Sequence, residues 1–492
     1  MIHNPQQIVE EILSEQKLNI FDIFAILFVY CDSRFRAILD ESEGEYGRIQ
    51  KIAVQLAEII RARHMSALDC LGTETRKWLV SELESTLKKY SFDQKCYILA
   101  RAIDIAYTEF VISHVELSRM FSMISPHLNL NLNLGLVYLK PGAPLVPRGG
   151  VIPVPYRTGT EKETNIRDHL DNFLCLQVPE GYEVDFKSLD FSTWLDFPQS
   201  LETFKIALVP LIDRTSQLVP FVSEPDEKGN RPYRVVGLQD VEGVTHLALE
   251  ALKVANDEGA TIVIFPELCV SEEVRVTIAN RLRSKEFPSI KMVVAGSFHE
   301  KLGERWYNIA HVLDSEGNEL WQQRKLEPNT IMHYELAQVP NLVVYAGSNL
   351  KEGIAASPRK IIIRDTPIGR MVVVICSDLL LEDSPHRKIF KDMRANLIIV
   401  PAMTSVVEPD FIDAAEEFAE HCQAVTIVCN ACCLPRESLS SKKDDIKVSV
   451  AYYPRPPSKW WRRCNNVPGE CTSHRCLREF ILSLDAHPLG FE

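Results

Sequence analysis

GVTHLALEALKVANDEGATIVIFPEL, residues 243–268, places a helix and a strand in direct succession. Leu247, Ala251, Val254 and Ala255 recur at the spacing that puts them on one face of an α-helix. Gly259 follows where a helix ends, in the position that favours the left-handed backbone. ATIVIFPEL then begins at once as a nearly continuous apolar run, the pattern of a strand covered on both faces. That strand ends on a carboxylate, Glu267.

The same alternation extends outward. FKIALVPLI (204–212), KMVVAGSF (291–298), YNIAHVLD (307–314), GRMVVVICSD (369–378) and ANLIIVPAM (395–403) read as strands. FIDAAEEFAEHCQA (411–424) reads as a helix with Ile412, Ala415, Phe418, Ala419 and Cys422 facing inward. Strands alternating with helices define an α/β layered domain, expected over residues 201–492.

Residues 1–126 carry a different pattern and are expected to form a mostly α-helical N-terminal domain. Ile8, Ile12 and Leu13 share a helical face in QQIVEEILSEQKL, and IQKIAVQLAEIIRARH repeats the pattern with Ile52, Val54, Leu56, Ile59 and Ile60. Proline is nearly absent between Pro5 and Pro126, as long helices require. The apolar stretch from Phe21 to Cys31 is too short to span a membrane and contains Asp22, so it reads as a buried helix. Residues 127–200 form a strand and linker region. HLNLNLNLGLVYL (127–139) alternates Leu128, Leu130, Leu132 and Leu134 with asparagines, which suits a strand with one buried face. The Pro/Gly-dense stretch from Pro141 to Gly159 is expected to be a linker or extended arm, neither helix nor central strand.

A net charge of −13, from 54 basic and 67 acidic side chains, argues against a broad nucleic-acid surface. The N-terminus lacks a cationic run, apolar core and cleavage site, so a cytoplasmic chain is expected, with no membrane partner. Thirteen cysteines, an odd number without a regular framework, fit reduced thiols.

Three segments end a buried run on a reactive side chain: VIFPEL on Glu267, GNELWQQRKLEP on Lys325 and MVVVICSDL on Cys376. Strand ends carry function in such folds because a rigid sheet aims them into one crevice. The trio suits attack on an unactivated amide or nitrile. A thiol is a poor nucleophile until it loses its proton, and a carboxylate can take that proton. A lysine ammonium can stabilise the thiolate and then the developing oxyanion. The carboxylate can later activate water against the thioester.

The text around these residues resembles the nitrilase, or carbon–nitrogen hydrolase, superfamily over roughly residues 203–486. The resemblance rests on LEALKVANDEGATIVIFPEL, VVAGSF, YNIAHVLDSEGNELWQQRK, GRMVVVICSDL, ANLIIVPA and AEEFAEHCQAVTIVCNA, in that order. It implies an αββα four-layer sandwich, with Glu267 as general base, Lys325 in the oxyanion hole and Cys376 as nucleophile. It also implies a second glutamate that positions the lysine, expected at Glu335, and an oxyanion donor from the backbone N–H of Ser377 or its neighbour. The chemistry needs no metal or organic cofactor, and a homo-oligomer through this domain is implied. The sequence departs from the family pattern at Ser377, where an aromatic residue is usual, and at Glu327, where a histidine is usual. LLLEDSPHR offers Asp383 and Arg387 with shifted spacing, and KVSVAYYP keeps Ser449 and Pro454 of a familiar strand without its glycine.

Other features have plainer readings. Cys464, Cys471, His474 and Cys476 lack the tight pairs of structural zinc sites, and the three cysteines are expected to be free thiols in a loop. Trp460 and Trp461, among Lys459, Arg462 and Arg463, are expected to pack against protein in preference to nucleic acid. Cys429, Cys432 and Cys433 are expected in the core, and His333 and His386 on surface loops. Three functions remain open at this point: hydrolysis of a small amide or nitrile, acyl transfer to an amine, and a catalytically vestigial scaffold or binding subunit of a larger assembly, of which a bacterial defence assembly is one example.

Overall fold

The computed structural model describes residues 5–14, 20–41, 46–63, 71–86, 89–107, 137–138, 144–147, 166–170, 172–176, 178–188, 203–339, 342–366, 369–422, 424–438, 447–453, 458–463 and 481–485. The chain forms two compact units, residues 1–180 with 186–192 and residues 181–185 with 193–492.

In the first unit the described helices are α1 (Pro5–Ser14), α2 (Ile20–Asp32), α3 (Phe35–Glu41), α4 (Tyr46–Arg63), α5 (Thr73–Ser81) and α6 (Phe92–Ala106). The apolar run at Phe21 is indeed a buried helix, α2, and it supplies Phe21, Phe24 and Phe28 to the core. Phe21 and Phe24 both pack against Phe173, with ring centroids 4.7 and 5.9 Å apart. No described helix is long and apolar enough to cross a membrane. Helix α6 opens with a capping box in which Ser91 and Gln94 satisfy each other's backbone N–H. Its buried Asp104 pairs with Arg101 and accepts the N–H groups of Asn172 and Phe173, fastening that segment to the helices.

Two expected faces are shifted. Helix α4 buries Ile49, Ala53, Leu56, Ala57 and Ile60, while Val54 and Ile59 are exposed. A stripe at 49, 53, 56 and 60 turns positions 54 and 59 outward at 3.6 residues per turn. In α1, Ile8 and Ile12 are buried but Leu13 is exposed, for the same reason.

Strands β1 (Val137–Tyr138), β2 (Pro144–Pro147) and β3 (Phe173–Cys175) form a small sheet in the order β1-β2-β3. The Pro/Gly-rich stretch therefore does contain a central strand, contrary to expectation. Its prolines stand at the two ends, leaving Leu145 and Val146 between them with backbone N–H groups. The alternating residues 127–136 lie outside the described set.

The second unit is a mixed α/β structure. One sheet contains β5 (Thr203–Leu208), β8 (Ile262–Ile264), β9 (Met292–Leu302), β10 (Arg305–Asp314), β11 (Glu319–Arg324) and β20 (Ile481–Asp485), ordered β11-β10-β9-β8-β5-β20. Another contains β4 (Tyr182–Ser188, of which Tyr182–Asp185 belong to this unit), β14 (Arg359–Thr366), β15 (Gly369–Val373), β16 (Leu397–Ala402), β17 (Val425–Asn430), β18 (Lys447–Tyr453) and β19 (Ser458–Arg463), ordered β19-β18-β17-β16-β15-β14-β4. A smaller sheet takes the order β12-β13-β7-β6, from β6 (Leu218–Val222), β7 (Arg231–Leu238), β12 (Thr330–Ile331) and β13 (Leu350–Glu352).

The central strands are apolar on both faces because both are covered. Helices α7 (Val241–Asp257) and α8 (Glu272–Arg283) pack Val244, Ala248, Leu252, Val274 and Ile278 into one core with Val263 and Val293. The inward face of α7 lies one residue from the expected one, so Val254 is only half-buried. Gly259 ends α7 at φ 73°, with its own N–H on the Asn256 carbonyl and the N–H of Ala260 on that of Ala255. This is the Schellman arrangement. The two large sheets meet where the Cys429 thiol donates to the Ile264 carbonyl and the Glu267 N–H to that of Ala402. Helix α11 (Asp410–Cys422; α9, His333–Leu336, and α10, Pro385–Asp392, precede it) buries all five residues expected to face inward.

Candidate active site

Glu267 stands just beyond the end of β8, where its Cα pairs with Ser297. Two backbone features hold it there. Leu268 adopts φ 56°, rare for a leucine, and donates its N–H to the Ser297 carbonyl at 2.6 Å. Gly296 adopts φ 65°, and a Cβ at this position would lie 2.0 Å from the Pro266 carbonyl oxygen. Only glycine allows β9 to pass so close to the FPEL segment.

Lys325 follows β11 directly, with its N–H on the Asn308 carbonyl of β10. Its buried ammonium lies 2.8 Å from Glu267 Oε1 and 2.9 Å from Glu352 Oε2. Glu352, at the end of β13, is the second carboxylate on the lysine. Glu335, expected in that role, is exposed on α9 and accepts the Met332 N–H at the start of that short helix. Its local capping bond occupies it there, which corrects the expectation.

Glu352 is fully enclosed by donors. Lys325 and the Asn329 N–H meet Oε2, while Asn308 Nδ2 and His299 Nε2 meet Oε1, each at 2.8–3.0 Å. His299 Nδ1 accepts the Val235 N–H at 2.7 Å, so the ring carries its proton on Nε2 and donates to Glu352. Burial alone would raise the Glu352 pKa, but Lys325, His299 and the Asn329 N–H hold it well below the usual carboxylate range. Asn308 Nδ2 also donates to Glu267 Oε1 at 2.8 Å, so one amide bridges both carboxylates. Its Oδ1 is buried without a partner among the described residues. Burial disfavours a charged Lys325, yet Glu267 and Glu352 outweigh it and hold the ammonium pKa well above its ordinary value.

Cys376 is buried at the start of a 3₁₀ turn (Cys376–Leu379) beyond β15 and adopts φ 48°. Residues kept in this sparsely populated region cost about 1–3 kcal/mol and persist where the surrounding structure over-determines them. Burial raises the thiol pKa, and the Glu267 carboxylate raises it further, against the Lys325 charge and the Met403 N–H. The resting group is therefore a thiol. Lys325 favours the thiolate, but burial and the Glu267 carboxylate outweigh it.

Asp378, two residues on, ties the Cys376 turn to the lysine segment. Its Oδ2 accepts the Leu326 N–H at 2.7 Å and its Oδ1 the Glu327 N–H at 3.1 Å. Burial pushes this carboxyl up to about 7, against the pull of Lys325 and those two N–H groups. The Asp378 carbonyl accepts from His386 Nε2 at 2.7 Å. His386 is thus wholly buried on α10, contrary to the surface expected, whereas His333 is exposed. Glu327 forms a two-armed ion pair with Arg359. Arg387 is buried, paired with Glu417 and stacked over Phe418, while Asp383 is exposed.

Cys429, Cys432 and Cys433 are buried, as expected of core thiols. Among the described residues no group of His, Cys, Asp or Glu side chains could hold a metal ion. Cys464, Cys471, His474 and Cys476 lie outside the described residues, as do the side chains of Trp460 and Trp461. Glu352, Asn308, His299 and Asp378 are the site residues that sequence reading missed.

No family model matches the chain, and no curated protein does. Among solved structures, the chain is similar to an amidase from Nesterenkonia sp., at 16% identity over 57% of this chain and 89% of that one, with a TM-score of 0.34. A mutant of the Nesterenkonia sp. AN1 amidase, carrying the acetamide moiety of fluoroacetamide on its active-site cysteine, matches at 14% identity. That match covers 58% of this chain and 92% of the other, with a TM-score of 0.34. Another mutant of that amidase, in complex with butyramide, matches at 15% identity over 58% and 92% of the two chains, with a TM-score of 0.33.

Proposed function

We propose that the second unit is a cysteine amidohydrolase of the nitrilase type, an αββα sandwich that cleaves the carbon–nitrogen bond of a small amide or nitrile. The observation that carries this reading is a buried ammonium, Lys325, shared by two carboxylates, one of which faces a buried thiol. A structural ion pair needs only one carboxylate.

The two glutamates divide the work. As Cys376 Sγ attacks the amide carbon, Glu267 takes the thiol proton and loses its charge. Glu352 stays ionised through this step and keeps Lys325 protonated, so that the ammonium can donate to the carbonyl oxygen as negative charge develops there. A backbone N–H at Ser377 or its neighbour is the second donor to that oxygen. Glu267 then gives its proton to the departing nitrogen, leaving a thioester on Cys376. Water, deprotonated by Glu267, attacks the thioester carbon and releases the acid and the thiol. These steps use side chains and one backbone N–H of this chain, with water.

The test is release of ammonia from a panel of small primary amides, with intact-protein mass spectrometry of the acyl-enzyme after rapid quench. Turnover with a mass increase on Cys376, absent in Cys376→Ala, supports the reading. Added hydroxylamine that captures the acyl group in preference to water would favour acyl transfer. A folded protein with no turnover and no adduct across the panel would favour the vestigial scaffold.

A further inference from the structure

Tyr233 is a feature of the same neighbourhood that the mechanism leaves unused. It lies in β7, in the segment between β5 and α7, and its Cα is paired with that of Glu352 in the parallel β7–β13 ladder. Registered partners on neighbouring strands project from the same face, and Glu352 projects to Lys325, Asn308 and His299. The Tyr233 ring is 6.3 Å from that of His299, and two residues further along β7 the Val235 N–H donates to His299 Nδ1. Leu336 and Leu350 pack with Tyr233 in an apolar cluster. Besides burial, the charges that bear on its phenol are those of Glu352, Lys325, Glu267 and Cys376. The ring is thus seated in apolar surroundings and its hydroxyl belongs to the same electrostatic neighbourhood as all three proposed catalytic residues.

A phenol in that position can serve as a neutral hydrogen-bond donor. Burial, and then the Glu352 charge, push its pKa well above the ordinary 10, so it is a neutral donor across the working pH range. Glu267 and Glu352 already take donors from Lys325 and Asn308. A neutral donor beside them suits the one acceptor that arrives with the substrate.

On the amidohydrolase reading above, we propose that Tyr233 is a substrate-contacting residue, its hydroxyl donating a hydrogen bond to the carbonyl oxygen of the bound amide alongside Lys325. The ligand class follows: an acyl group whose carbonyl oxygen is presented to both donors.

The test compares two thiol reagents on the full chain, wild type and Tyr233→Phe, following Cys376 by peptide mass spectrometry. Iodoacetamide carries an amide carbonyl, and methyl methanethiosulfonate carries none. Loss of one hydrogen bond is expected to slow iodoacetamide about threefold to tenfold in Y233F, with the methanethiosulfonate rate unchanged. The phenylalanine keeps the ring in its apolar seat, and continued protection of buried Cys429 reports that the fold is intact. Equal iodoacetamide rates in the two proteins would overturn the role of Tyr233 while leaving the amidohydrolase reading in place. Equal slowing of both reagents would also overturn it, because the effect would then be on the thiol and not on the carbonyl. If wild-type Cys376 reacts no faster than Cys429 with either reagent, the amidohydrolase reading fails and the role of Tyr233 fails with it.

Discussion

The carboxylate of Asp378 accepts the backbone N–H of Leu326 at 2.7 Å. Those residues adjoin the two proposed catalytic groups on different strands, Asp378 on the Cys376 turn and Leu326 directly after Lys325. The bond therefore ties the Cys376 turn to the segment that carries Lys325, and the Glu327 N–H on the other carboxylate oxygen is a second tie. Neither oxygen can be exchanged for a donor without facing an N–H.

Asp378→Asn places an amide N–H₂ against one of those backbone donors, at a cost of about 1–3 kcal/mol, and slows Cys376 alkylation. The wild-type carboxyl, pushed up to about 7 in the folded chain, contributes stability that is present below about pH 4 and lost as pH rises through 7. The deficit of D378N should therefore shrink between those limits. Unfolding curves at pH 4.5, 6 and 7.5 check this, and a deficit that grows with pH is the wrong sign.

Glu352→Gln removes one of the two charges on Lys325 and turns an N–H₂ toward the Asn329 N–H or His299 Nε2. Breaking a buried pair in this way costs about 3–5 kcal/mol. Because the Glu352 pKa is depressed in the folded chain, its contribution is present above the unfolded value of about 4.3 and is lost as pH falls. Denaturant midpoints of E352Q and wild type should differ most near neutrality and approach each other in acid.

Gly296→Ala drives a Cβ into the Pro266 carbonyl at a left-handed φ. The backbone conformation alone costs about 1–2 kcal/mol, and the clash is with backbone, which cannot swing aside. The variant should melt lower than wild type and lose Cys376 reactivity, because Glu267 adjoins Pro266. Retained reactivity at an unchanged melting temperature would show that β9 does not set the Glu267 position.

His311 lies between Glu300 Oε1, 2.7 Å from Nε2, and Glu319 Oε2, 2.6 Å from Nδ1, with Arg275 of α8 3.8 Å from Glu300. Burial opposes its charge, but the two carboxylates prevail and raise its pKa. An imidazolium so held contributes stability below about pH 6.5 that is lost as pH rises through the raised value. The stability advantage of wild type over His311→Gln should therefore be largest at pH 6 and fall on the alkaline side, as read by thermal unfolding across pH.

Much of this was legible because the informative residues end long apolar runs. VIFPEL, the QQRK segment and VVVICSD each announce a strand and then a side chain that apolar packing does not explain. Glu352 was hidden because its strand, β13, has three residues, follows a long irregular segment, and belongs to a small sheet whose other members are β6, β7 and β12. Glu335 looked suitable by spacing along the chain, and spacing does not register that a carboxylate at the third position of a helix turns back on its own backbone. Asn308 lies inside a strand that reads as core, where burial is visible in sequence and the partner of a buried polar group is not, and His299 lies one residue past the strand read at 291–298, which in the structure runs on to Leu302. Val54 and Ile59 show the same limit in the helices: hydrophobic content identifies the element, and its phase is set by the neighbour it meets.

The most direct measurement is the iodoacetamide alkylation rate of each cysteine in the full chain, wild type and Glu267→Gln, followed by peptide mass spectrometry at neutral pH. Cys376 is expected to outpace every other cysteine even though its resting thiol is buried, and to lose at least tenfold when Glu267 can no longer accept its proton. A Cys376 that reacts no faster than the core thiols Cys429 and Cys433, or as fast in E267Q as in wild type, would contradict the assignment of Glu267 as its base.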